Sequence, residues 1–105
     1  MLVRDKVGEE IKKTISEVKN SQVEVVRLDD NEDFFKAIIS KIRSEIEVLL
    51  ETKSIDSLAE IVELVDWIQI CFGSTGLDSV IEHRKEKLGL YWNRYYIKED
   101  VEEEK

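Results

Sequence analysis

Leu58-Ala59-Glu60-Ile61-Val62-Glu63-Leu64-Val65-Asp66-Trp67 decides how the chain folds. Acids stand at every third position of an otherwise apolar run, a spacing that suits a helix and not the strict alternation of a strand. With Ile68, Ile70, Cys71 and Phe72 the apolar residues surround most of a helix reading from about Ser57 to Phe72. A helix apolar nearly all round belongs in an interior, yet carboxylates buried without partners are unfavourable. Between Ser54 and Glu82 there is no Lys or Arg, so ion pairing within the segment cannot neutralise these acids. Something else must. A divalent cation is the natural candidate, because Mg²⁺ takes oxygen ligands and needs only a few carboxylates from the protein. Glu60 and Glu63, three apart, share one side of the helix, whereas Asp66 is rotated well away. A plainer account of Glu60 is a capping box, since Ser57-x-x-Glu60 fits the Ser/Thr-x-x-Glu pattern of a helix start.

Outward from this segment, the preceding stretch reads as a long helix. Asp29-Asp30-Asn31 supplies capping side chains, and Glu32 and Asp33 place negative charge at the helix N-terminus. Phe34, Phe35, Ile38, Ile39, Ile42, Ile46, Leu49 and Leu50 form its apolar stripe to about Glu51. Its acids are Glu45, Glu47 and Glu51, of which Glu45 sits closest to the stripe; the other two suit a solvated face. Two adjacent antiparallel helices with inward carboxylates can build a metal site, as bundle folds do. Earlier still, Val3, Val7, Ile11, Ile15 and Val18 recur at helical steps and predict a first amphipathic helix, and Val23 to Leu28 reads as an extended connector. Beyond the central pair, Gly73-Ser74-Thr75-Gly76 is a loop, Asp78 is placed to cap a fourth helix holding Val80, Ile81, Arg84 and Leu88, and Gly89 ends it. Leu90 to Ile97, with Tyr91, Trp92, Tyr95 and Tyr96, is expected to dock. The acidic run from residue 99 to 105 has little to bury and is expected to fray.

The whole is expected to be one all-α domain over residues 1–98 followed by that tail. The length of 105 residues fits a single domain, and the absence of proline, with only 4 glycines, leaves most of the chain free to be helical. Charged residues make up 38% and the net charge is −8. That balance disfavours a nucleic-acid or anionic membrane partner, both of which need concentrated Lys and Arg. No stretch approaches the roughly 18 uncharged apolar residues of a membrane helix. One cysteine, Cys71, leaves no internal disulfide, and the start at Met1 lacks the apolar run of a signal peptide, so a cytoplasmic location is expected. Cys71 reads as a small core residue, His83 as an exposed residue of the fourth helix, and Trp67 and Trp92 as core or subunit-contact residues.

Four strings, in order, resemble a known family: Leu2-Val3-Arg4-Asp5-Lys6-Val7, Val26-Arg27-Leu28-Asp29-Asp30, Lys41-Ile42-Arg43-Ser44-Glu45-Ile46-Glu47 and Leu58-Ala59-Glu60-Ile61-Val62-Glu63. Together they look like the small phosphoribosyl-ATP pyrophosphohydrolase-like proteins of the MazG-like superfamily, and the likeness runs over most of residues 2–94. The resemblance implies a four-helix MazG-like bundle assembled as a homo-oligomer, a homodimer or homotetramer. It also implies Mg²⁺-dependent splitting of a nucleoside triphosphate or related nucleotide into monophosphate and pyrophosphate. The family's Glu-Glu-x-x-Glu falls on Ser44, Glu45 and Val48, and its Glu-x-x-Asp on Glu60 and Glu63, so Glu45 and Glu60 alone match identically. Val48 has no carboxylate to offer, and Glu63 reaches one methylene farther than an aspartate. Relatives usually carry proline where this chain has Gly8. The resemblance makes Glu45, Glu60 and Glu63 the expected catalytic metal ligands. Arg4 and Lys6, with Arg94 in Gly89-Leu90-Tyr91-Trp92-Asn93-Arg94, become the expected phosphate-binding cations. Arg4 and Lys6 are also placed to pair with Asp5, Asp29 or Asp30. The alternative is a relative that keeps the fold, has lost catalysis at Val48, and binds nucleotide or acts as an oligomeric interaction module.

Overall fold

The computed structural model describes residues 1–17, 22–73 and 75–98, and among these the regular structure is four helices and no strand. They are α1 (Asp5–Ser16), α2 (Asn31–Thr52), α3 (Ile55–Phe72) and α4 (Leu77–Leu88). The fold is all-α. The chain divides into two compact units, Met1–Gly73 and Ser74–Lys105.

In the first unit, α2 begins where the Asp30 side chain accepts a hydrogen bond from the Glu32 N–H, with Glu32 and Asp33 in the first turn. It ends at Lys53, whose backbone adopts the left-handed conformation (φ +53°) and whose N–H donates to the Leu49 carbonyl at 2.8 Å. Ser54 follows at once as the cap of α3. Its hydroxyl oxygen accepts from the Asp56 N–H at 3.0 Å, and its own N–H donates to the Thr52 hydroxyl at 3.2 Å. The helix start read at Ser57 is therefore corrected to Ile55, and Ser57 is a buried residue inside the helix. Two residues thus turn the chain back on itself. Phe34 and Phe35 at the start of α2 meet Trp67 and Phe72 at the end of α3, edge to face, with ring centroids 6.2 and 4.8 Å apart. The helices are antiparallel, and theirs is the direct helix packing of this unit. Ile38 of α2 and Leu64 of α3 are its buried apolar side chains.

α1 is shorter than the stripe from Val3 to Val18 implies: it starts at Asp5, Val3 precedes it in an extended segment, and Val18 lies outside the described residues. Gly8, on the first turn, is buried beside the side chains of Val3 and Val25. The connector over residues 22–29 has no regular structure, as its composition predicts.

In the second unit, α4 is framed by two glycines with positive φ, Gly76 at +85° and Gly89 at +84°. Gly76 stands at the N-cap position, so Asp78 is a first-turn acid and not the cap expected of it. This unit does not bury Tyr91, Trp92, Tyr95 or Tyr96, all of which are exposed, contrary to the docking their aromatic rings suggested. Among the described residues no helix is long and apolar enough to cross a membrane. Residues 99–105, read as a fraying tail, lie outside the described part.

Candidate functional site

The α2–α3 hairpin brings carboxylates from two helices to one cleft. Spacing does most of the work: Glu60 and Glu63, three residues apart, emerge on the same side of α3, facing the part of α2 that carries Lys41 and Glu45. The segment Met1–Asp5 supplies the remaining wall. The cavity so formed measures about 520 Å³, within the range of about 300–1,000 Å³ typical of small-molecule sites. Trp67 and Phe34 line it together with Ile38 and Leu64, so an apolar floor underlies the charged groups.

Charge is balanced inside this cleft by an arginine from far along the chain. Arg4 Nη1 donates to Glu63 Oε2 at 3.0 Å, Arg4 Nη2 to Glu63 Oε1 at 2.7 Å, and Arg4 Nη2 also to Glu60 Oε1 at 2.6 Å. These bonds join residues 59 and 56 positions apart. The side chains are exposed by 55% for Arg4, 22% for Glu60 and 49% for Glu63, so water still reaches the cluster. Its hydrogen bonds to Glu63 and Glu60 raise the Arg4 guanidinium well above its ordinary value and secure its charge. The same bond lowers the Glu63 carboxyl below its ordinary range, opposed in part by loss of hydration. Glu45 faces a second internal cation, with Lys41 Nζ 3.9 Å from its Oε2 one helical turn away.

The expected site residues divide accordingly. Arg4, Glu45, Glu60 and Glu63 line the one cleft, while Lys6 is an exposed residue of α1 and does not line it. Arg94 belongs to the second unit, at a backbone turn where its N–H donates to the Tyr91 carbonyl at 3.1 Å. Asp66, Glu47 and Glu51 are exposed and take no part in lining the cleft. Val48, at the position where the resemblance places an acid, is an exposed apolar residue of α2. His83 is exposed, and Cys71 is half-buried and free. Three features of the cleft went unread in the sequence: the Arg4 pairing, Lys41 and the wall made by Trp67. Lys41 alone had a local signal, lying four residues before Glu45 on a helix.

The donor set suits a hard cation. Glu60 and Glu63 offer carboxylate oxygens side by side, already drawn onto a positive group, and Mg²⁺ is commonly held by one or two carboxylates with phosphate and water completing its shell. Among the described residues no three His, Cys, Asp or Glu side chains converge as a ready-made cage. Any such ion would rely on the carboxylate pair and on its ligand. No family model, no curated protein and no solved structure matches this chain.

Proposed function

We propose that the protein is a Mg²⁺-dependent nucleotide pyrophosphohydrolase, a MazG-like helical bundle that works as a homo-oligomer. One observation carries this reading: Glu45, Glu60 and Glu63 share a cleft of ligand size with two cations, Arg4 and Lys41. Carboxylates and cations in one cavity suit a metal polyphosphate, which is negative at its oxygens and positive at its ion. Glu60 and Glu63 would hold Mg²⁺, with phosphate and water completing its shell, and Glu45, expected as a third ligand, lines the same cleft beside Lys41. Bound there, Mg²⁺ supplies Lewis-acid neutralisation of phosphate charge. Arg4 and Lys41 donate to phosphate oxygens and orient the chain of phosphates. Water adds to the α-phosphorus and gives up a proton to the surrounding solvent, the α–β anhydride bond breaks, and pyrophosphate leaves with the bonding pair. The apolar floor of Ile38, Leu64 and Trp67 offers a surface against which the nucleotide's apolar parts can pack.

Pyrophosphate release from a panel of nucleoside triphosphates with Mg²⁺ tests the reading. Release from at least one substrate is expected, falling about 10²-fold or more in Glu60→Gln and Glu45→Gln, because charge stabilisation at the reacting phosphate is lost. No release from any substrate favours the second reading, a nucleotide-binding or interaction module without catalysis. Val48 supports that alternative, because it stands where the resemblance places an acid and has no carboxylate to offer.

A further inference from the structure

Arg4 stands just before α1 on an extended backbone (φ −72°, ψ 159°), and its side chain reaches α3. There one guanidinium takes three of the four oxygens of Glu60 and Glu63. The group that neutralises these acids is thus internal, and it occupies the oxygens that a metal ion would need. The two occupants exclude each other.

We propose that Arg4 is an exchangeable counter-ion that gates the carboxylate pair. With no ligand, Arg4 holds Glu60 and Glu63. A divalent cation displaces it, and the freed guanidinium turns to the phosphate oxygens that arrive with the ion. This rests on the metal-dependent reading above and adds the order of events. The exchange is feasible because the contact is half-exposed, so water can take over each hydrogen bond as the guanidinium leaves. Arg4 also sits at the edge of a short segment with no regular structure, so the side chain can leave without unwinding a helix. While Arg4 stays bound, the fraction of protein competent for metal is reduced, and apparent affinity falls by that fraction.

The test titrates Mn²⁺ alone, without nucleotide, into the full-length chain and follows free Mn²⁺ by electron paramagnetic resonance. Arg4→Gln is expected to bind Mn²⁺ about tenfold more tightly than the unmodified protein. Lys12→Gln removes the same charge from an exposed position of α1, and its affinity is expected to stay unchanged. Arg4→Lys keeps the charge but loses the two-pronged geometry, so an intermediate tightening is expected, and this variant serves if Arg4→Gln fails to fold. Equal or weaker Mn²⁺ binding by both Arg4 variants, beside clear binding by the unmodified chain, would overturn the gate and leave the metal site standing. Equal tightening by Lys12→Gln would reduce the effect to net charge and overturn the gate as well. Absence of Mn²⁺ binding in every variant would overturn the gate, which requires the ion alone to compete with Arg4, and would leave the metal-nucleotide reading to the pyrophosphate assay.

Discussion

A carboxylate that accepts two hydrogen bonds from one guanidinium stays ionised at lower pH than a solvated one. Glu63 is in that position, and its lowered value fixes the sign of its effect on stability. The contribution is fully present above the ordinary glutamate range and is lost as pH falls through the depressed folded value. Glu63→Gln is therefore expected to melt below the unmodified protein at pH 7, with the gap closing in strong acid. Thermal melts at a series of pH values check this, and a gap indifferent to pH would show that the ion pair contributes nothing. The gap should be small and shrink with added salt, because both partners are half-exposed. At this scale the sequence was partly legible. The acids announced themselves because Glu60 and Glu63 interrupt an apolar run, and the missing Lys and Arg around them demanded an outside charge. That charge turned out to be Arg4. Nothing local could identify it, since Arg4 and Lys6 stood equally ready to pair with nearby aspartates and the true partners are more than fifty residues away.

Helices were legible where periodicity is long, and their ends were legible only to within a few residues. The start of α2 was read only as Asp29-Asp30-Asn31, and Asp30 is the residue of the three that caps it. Ser54 and Ser57 compete for the start of α3, and Ser54 prevails because its hydroxyl reaches the Asp56 N–H while Ser57 is taken into the interior. The aromatic cluster after Gly89 suggested docking, yet ring content alone names no surface to dock against. In α1 the local choice runs against the helix: Gly8 lies in its first turn, where glycine is less favourable than alanine by roughly 0.5–1 kcal/mol. A β-carbon there would meet Val3 Cγ2 at 3.5 Å and Val25 Cγ1 at 3.9 Å, both ordinary van der Waals distances. Gly8→Ala is accordingly expected to stabilise the protein by about 0.5–1 kcal/mol, measured by urea unfolding. Destabilisation would mean that Val3 and Val25 close on this helix more tightly than those distances allow.

At the scale of the whole molecule, the first unit leaves apolar surface uncovered. Leu58, Val62 and Val65 recur on one face of α3 at helical spacing and are exposed by 45%, 55% and 41%. The girth of α3 was plain in the sequence; which side of it would find cover was not, because that depends on packing partners that composition cannot specify. A second copy of the chain is the proposed cover, since a self-complementary stripe suits a two-fold contact. Sedimentation velocity is expected to give the mass of two or four chains, and Val62→Lys to reduce it. A single-chain mass for the unmodified protein would contradict the proposed assembly.

The turn at Lys53 and Ser54 also fixes a phase. Each residue of a helix advances the side chains by about 100°, so one extra residue merged into α3 ahead of Glu60 would aim both glutamates of α3 at a different neighbour without disturbing a single helical hydrogen bond elsewhere. Glu45 and Glu60 line one cleft because the count of residues between them is right. An insertion at that turn would therefore dismantle the shared cleft as surely as the loss of either acid.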